Sequence, residues 1–568
     1  MRFVRARPAI LLLLLVAAGT AAAYWIRLGV PVDMPAAHSG RIACVSYAPY
    51  RKTGESPFTL GYRVSAERID EDLKALSRRF DCVRTYSVGQ GLDQVPAIAR
   101  RYGMKVLLGA WLSRDPTENA EELALAITVA NRERDVIRAI VVGNEVLLRG
   151  ELPQRTIVDH LRAVRAATGL PVTYADVWEF WLKYREVAPT VDFITIHILP
   201  YWEDEPVAID GAIAHVDAIY KKMQAAFPGR EFLIGETGWP SEGRERRQAL
   251  PSRVNEARFF REFMIFVDKA KLPYNVIEAF DQPWKRTLEG TVGGYWGLYD
   301  DDLRDKFPLS GPVTEDARWW VGMVVGFACA AAFALFGVFS GTPRARRTSS
   351  PMSSRISSLM SRASAMRALA GFFIGAIAAA EVRHFMFANR DAFEWALTIF
   401  MTTIAVVTAT FVTERVARWM ARNADDNGPP CASMVDAFGR RGTHDAFAGA
   451  FAGVLRGFWL IAATIVNLLL VFDARYRDFP SLLFAPVIVA YATLALTHCA
   501  TSSRTFPTAP REIEERILSI GLIVGAAVIV AMELPINTSA DLWALFCVMF
   551  AASTWVTMDA YEGRLSHL

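Results

Sequence analysis

The chain is poor in the residues that build disulfide scaffolds and metal sites. It holds 6 Cys and 8 His in 568 residues. So few cysteines over that length exclude a disulfide framework as the source of stability. No HExxH, CxxC pair or carboxylate cluster argues for a metal, and no cofactor is expected. Charge of one sign is also scarce: the net charge is +3, which leaves no nucleic-acid footprint. The 37 Gly and 28 Pro follow no period, which excludes a collagen-like chain, and 52% hydrophobic residues exclude disorder over most of the length. Residues 41–316 lack any apolar run long enough to cross a bilayer, whereas such runs recur from Trp319 onward. The mean hydropathy of +0.21 therefore averages two unlike materials.

The membrane part comes first in the chain and returns after the water-soluble part. Three arginines precede an apolar run from Ala9 to Ile26, which reads as an uncleaved anchor; a cleaved signal peptide is the alternative, because the small residues from Ala17 to Ala23 suit a peptidase. Further apolar segments cover roughly 318–340, 368–387, 392–413, 447–472, 482–500, 517–533 and 540–558. Connectors 341–367, 414–446 and 501–516 hold fourteen arginines; the alternate connectors 388–391, 473–481 and 534–539 hold three. The positive-inside rule then places the rich set in the cytoplasm and residues 27–317 outside. The expected organisation is a signal-anchor and linker over 1–40, an external domain over 41–316, a span over 317–340, a basic cytoplasmic linker over 341–367, and six further spans within 368–568. The expected location is a bacterial cell membrane, with the external domain in the periplasm where there are two membranes. Glu381, Arg383 and His384 lie in the outer half of a span, where pairing near the interface competes with a functional role.

The external domain alternates short β-branched runs with amphipathic helical stretches. Runs that read as buried strands begin near Ile42, Phe80, Lys105, Ala139, Pro171, Val191, Glu231 and Tyr274, about 33 residues apart. Helical patterns fill gaps at 66–79, 118–135, 155–167, 208–226 and 253–270. Eight such units are the arithmetic of a (β/α)8 TIM barrel, here followed by an all-α multi-span domain. No Gly-rich phosphate loop follows the first strand, which argues against a doubly wound sheet. Cys44 and Cys82 fall on neighbouring strands, where a disulfide is geometrically allowed but two free buried thiols are expected.

In such a barrel the chemistry sits at the C-terminal strand ends. Those ends carry Tyr47, Arg84, Tyr86, Asn144, Glu145, His197, Tyr201, Trp202, Glu236, Trp239, Phe280, Trp284 and Lys285. Glu145 and Glu236 each follow an apolar run and a glycine, 91 residues apart, which suits strands four and seven. Paired carboxylates among aromatics point to glycoside chemistry: one protonates the leaving oxygen, the other attacks the anomeric carbon or activates water. Trp202, Trp239 and Trp296 could stack on sugar rings, although packing is the competing reading for any single tryptophan. Asn144 could bond a sugar 2-hydroxyl, and Arg84 could hold Glu236 ionised.

The blocks VVGNEV (141–146), IGETGWPS (234–241) and EAFDQPWK (278–285) resemble the signatures of glycoside hydrolase family 17, over about residues 42–310. The resemblance implies a retaining (β/α)8 enzyme of the β-1,3-glucanase and β-1,3-glucanosyltransferase kind, with Glu145 as acid/base and Glu236 as nucleophile, their carboxyl groups roughly 5 Å apart. Two positions depart from the pattern: Gln282 stands where many members carry Glu, and His197 where Asn is common. The layout is similar to a bacterial subgroup of membrane-bound transglycosylases that branch or elongate β-1,3-glucans, including makers of β-1,6 linkages. It implies a β-1,3-glucan or oligosaccharide substrate, contact with the bilayer, and a membrane glucan synthase as a candidate partner. Hydrolysis of the same substrate is the alternative, and a non-catalytic polysaccharide-binding or export subunit a further one.

Overall fold

The computed structural model describes residues 3–37, 40–340, 362–421, 429, 431–434, 444–472, 478–501, 513–533 and 537–565. Residues 341–361 of the expected basic linker lie outside the described residues, as do parts of the other expected connectors. The chain forms two compact units, residues 31–315 and residues 1–30 with 316–568.

The first unit is built on seven parallel strands: β1 (Val45–Ser46), β2 (Cys82–Arg84), β3 (Lys105–Ala110), β4 (Ile137–Asn144), β5 (Val172–Val177), β6 (Ile194–His197) and β7 (Phe232–Glu236), ordered in the sheet as in the chain. Helices cover the outer face of the barrel and strand side chains fill its interior, so the strands read as near-continuous apolar runs; in β4 only Arg138 is exposed. The helices start at local signals. Ser65 Oγ accepts from Arg68 N at 3.2 Å, and Asp115 accepts from Thr117 N at 2.7 Å with Pro116 at the first helical position.

The eighth strand position is filled without a regular strand. Segment 273–279 bridges β7 at Ile234–Tyr274 and β1 at Val45–Val276, so the barrel is nearly closed. From Glu278 on, a third segment competes for the backbone: Glu278 N donates to Trp296 O at 3.0 Å and Leu298 N to Glu278 O at 2.9 Å. The ladder to β1 therefore stays short.

The expectation of two free thiols is corrected: Cys44 and Cys82 form a disulfide. Its cause is register. Val45 pairs with Val83, which sets the preceding residues side by side on adjacent strands. The bridge sits in a small core with Leu107, Ala139, Val141, Ala175 and Leu233.

The second unit is helical. Among the described residues its helices are Phe3–Gly29, Trp320–Ser340, Arg362–Ala388, Ala392–Ala421, His444–Phe472, Ser481–Thr501, Ile513–Met532 and Thr538–Leu565. Seven are long and apolar enough to cross a bilayer, and Trp320–Ser340 is a further apolar helix of 21 residues. Small residues let two of them approach: a Cβ at Gly375 would stand 2.7 Å from Cys329 Cβ. Arg383 pairs with Asp316 at 2.8 Å and His384 lies 3.2 Å from Asp478, which accounts for both charges by pairing. A pair not foreseen from sequence joins buried Arg456 to Glu515 at 2.6 Å, with Thr557 Oγ1 also accepting from Arg456.

Candidate active site

The strand ends converge on two carboxylates and the groups that hold them. Glu145 follows β4 directly. Gly143 and Glu145 take φ of 88° and 52°, a left-handed pair that turns the chain off the strand. For a non-glycine residue that conformation costs about 1–3 kcal/mol and persists where the surroundings fix it. Here Glu145 N donates to Ala175 O on β5 at 2.8 Å. Glu236 ends β7 and is buried.

His197, the last residue of β6, stands between them. Its Nδ1 lies 2.7 Å from Glu145 Oε1 and its Nε2 lies 3.6 Å from Glu236 Oε1. One atom from each of Glu145, His197 and Glu236 lies within 4.8 Å of the other two. Gly235 makes room for this: a Cβ there would meet Thr195 Cγ2 at 2.3 Å and His197 Cδ2 at 3.1 Å. A cation could find three donor atoms in this cluster, but a guanidinium is already seated on it. Arg84, at the end of β2, donates to Glu236 Oε1 at 3.2 Å, to Gly235 O at 2.7 Å and to Asn144 Oδ1. A fork that reaches three acceptors on β4 and β7 is geometry lysine cannot reproduce. Tyr86 donates its hydroxyl to Glu236 Oε1 at 2.8 Å and lies 3.0 Å from Ser46 Oγ.

The electrostatics follow from burial and these partners. Burial opposes ionisation of Glu145, but the His197 hydrogen bond and the charges of His197, Arg149 and Arg84 outweigh it, and the carboxyl is held below its ordinary value. Burial, reinforced by the Glu236 charge, pushes the Tyr86 hydroxyl well up, so it stays a donor. Burial also raises Glu278 to about 7 against the opposing charge of Lys285, whose Nζ reaches both Glu278 oxygens at 2.9 and 3.0 Å. For Lys285 burial favours the neutral amine, yet the charges of Glu278 and Glu289 prevail and hold it above its ordinary value.

The aromatic expectations divide. Trp202 and Trp296 lie parallel, 6.1 Å apart at 10°, and with Leu199, Ile277, Lys285 and Glu289 they line a small recess. Trp284 is half-buried, donates to Gln282 Oε1 at 2.7 Å, and meets exposed Phe58 edge-on at 5.6 Å. Tyr47, Tyr201, Trp239 and Phe280 are fully buried, as is Trp296. Tyr47 gives its hydroxyl to Asp72 at 3.1 Å, Tyr201 to Arg244 O at 2.5 Å, and Trp239 its indole N–H to Leu250 O at 3.1 Å. The Phe280 ring packs edge-on against Tyr47.

Other groups at the site had no role from sequence. Asn275 Nδ2 ties Ser46 Oγ at 2.9 Å to Gly235 O at 2.8 Å, next to Glu236. Asp176 on β5 is raised to about 7 by burial, with the Glu145 charge adding to it. Arg149 lies over the Trp111 ring at 4.2 Å. These positions sit inside or beside apolar runs, and only an odd polar residue there signals them.

Residues 44–297 match the family model of the BtgE/BtgC glycoside hydrolase domain. A glucan 1,3-beta-glucosidase of Schizosaccharomyces pombe is 28% identical over 255 residues, covering 42% of this chain and 79% of that protein. One of Saccharomyces cerevisiae is 25% identical over 285 residues, covering 45% and 91%. Among solved structures, a glycoside hydrolase family 17 beta-1,3-glucanosyltransferase from Rhizomucor miehei is similar at 24% identity and a TM-score of 0.42, covering 49% of this chain and 98% of that one. With the family model, the related glucosidases and the barrel in agreement, residues 44–297 form a domain similar to the BtgE/BtgC glycoside hydrolases, and the protein is an enzyme acting on O-glycosyl bonds.

Proposed function

We propose that the protein is a membrane-anchored retaining transglycosylase acting on β-1,3-glucan. The observation that carries the mechanism is the approach of Glu145, His197 and Glu236, whose contributing atoms lie within 4.8 Å of one another. Retaining enzymes hold their carboxyl groups about 5–5.5 Å apart, whereas inverting ones leave about 6.5–9.5 Å for a water. In this reading Glu236, held by Arg84 and Tyr86, attacks the anomeric carbon. Glu145 protonates the departing oxygen, then removes a proton from the acceptor that resolves the glycosyl-enzyme. Asn144, Tyr86, Trp202, Trp284, Lys285 and Trp296 are the residues assigned to the sugar.

The substrate rests on the glucan 1,3-beta-glucosidases that the domain resembles. The membrane setting rests on the apolar helices and on the arginine asymmetry of their connectors. The Cys44–Cys82 disulfide supports an oxidising compartment, outside the cytoplasm, for the barrel. In a double-membrane bacterium that compartment is the periplasm, and a membrane glucan synthase would be the supplier of linear chain. The domain boundaries of this reading are an anchor over 1–40, the enzyme over 41–316, and spans after 317.

The detergent-solubilised full chain, incubated with a β-1,3-linked oligosaccharide, tests transfer. Products longer than the substrate, or with new linkages such as β-1,6, are expected. A product set of only shorter sugars and glucose overturns transfer in favour of hydrolysis by the same carboxylates.

A further inference from the structure

The imidazole of His197 is fully buried and takes no part in backbone pairing, yet it reaches both carboxylates. Its Nδ1 lies 2.7 Å from Glu145 Oε1. Its Nε2 faces Arg84 Nη1 at 3.4 Å and Glu236 Oε1 at 3.6 Å. Its Cδ2 and Nε2 lie beside Gly235, where an added Cβ would stand 3.1 and 3.3 Å from them, so the missing side chain leaves the ring its place. Between a carboxylate and an imidazole at that distance one proton has two homes, Oε1 and Nδ1. An amide side chain could donate to Glu145 but could not take up its proton.

We propose that His197 is a positioning residue that stores the proton Glu145 delivers to the leaving group. This rests on the glycosyl-transfer reading above. In the first half-reaction the proton passes from His197 Nδ1 to Glu145 Oε1 and on to the glycosidic oxygen. That C–O bond breaks as a Glu236 oxygen bonds to the anomeric carbon, and His197 is left neutral. In the second half-reaction the acceptor hydroxyl gives its proton to Glu145, which returns it to Nδ1. The acceptor oxygen bonds to the anomeric carbon, and the ester bond to Glu236 breaks with its electron pair returning to the carboxylate. Protons and electron pairs balance over the cycle. The charged and titratable groups facing the imidazole are Glu145 after β4, Glu236 on β7, Arg84 on β2 and Asp176 on β5.

His197→Asn and His197→Gln in the full chain test this, on two substrates. One is a β-1,3-linked glucose oligosaccharide, whose leaving group needs a proton. The other is a dinitrophenyl β-glycoside of the β-1,3-linked disaccharide, whose leaving group does not. With the oligosaccharide, kcat/KM is expected to fall about 100-fold, the scale of general acid catalysis. The loss on the activated glycoside is expected to be far smaller, which also reports that the variants fold. The alkaline limb of the oligosaccharide profile is expected to move to lower pH once the imidazole that supplies the proton is replaced. Equal losses on both substrates, or an unmoved alkaline limb, overturn the proposal while leaving the transfer reading standing. A wild-type chain inactive on both substrates overturns the two together.

Discussion

At the residue scale, Arg84 organises the site. It is buried, and its guanidinium spans Gly235 O, Glu236 Oε1 and Asn144 Oδ1, so it fixes the relative placement of β4 and β7 side chains. Arg84→Lys keeps the charge and loses the fork. Misplacing a reacting group by an ångström can cost about 10²-fold, and a fall of that order in kcat/KM is expected with the thermal unfolding midpoint little changed. Turnover of a β-1,3-linked oligosaccharide beside a circular-dichroism melt separates the two effects. Glu145 and Glu236 were legible in the sequence because each breaks an apolar run at a strand end. The direction of a side chain was not. Tyr47, Tyr201, Trp239 and Phe280 occupy the same kind of position and are fully buried, and a strand end does not say which face its next residue takes. His197 was visible as a strand-end residue, but its contact with two carboxylates needs β4, β6 and β7 assembled.

At the element scale, the alternation of runs and helices was readable because buried parallel strands are apolar on both faces. The eighth position shows the limit. Its run from Tyr274 looks like the others, but residues 296–299 bond to its second half, and that competition is not encoded in the run itself. The disulfide turns on the same kind of information: neighbouring strands were evident, the register was not. Cys44 and Cys82 are 38 residues apart. Chain-entropy arguments give about 3–4 kcal/mol for closing a loop of that size. Replacing both with serine is expected to lower the unfolding midpoint of the barrel, and non-reducing mass spectrometry of the wild type should find the linked peptides. Free thiols at both positions in protein from its native compartment would contradict the bridge.

At the scale of the whole molecule, the mean hydropathy of +0.21 describes neither of the two units. The seam was legible because water-soluble and membrane materials differ in the length of their apolar runs. The Arg456–Glu515 pair was not, since the two residues are 59 apart and lie on different helices. Orientation has its own test. Protease added to cells whose outer layers have been removed is expected to digest the barrel, while a tag inserted between 341 and 361 stays protected until the membrane is opened. A tag cleaved from outside, with the barrel intact, would reverse the topology.

In the proposed retaining mechanism Glu236 forms the covalent bond. A 2-fluoro β-1,3-linked disaccharide with a good leaving group slows the second half-reaction and traps the glycosyl-enzyme. Peptide mass spectrometry of the labelled full chain is predicted to find the sugar on Glu236 alone, with a matching loss of activity. Label on another residue, or inactivation with no label, would contradict the account.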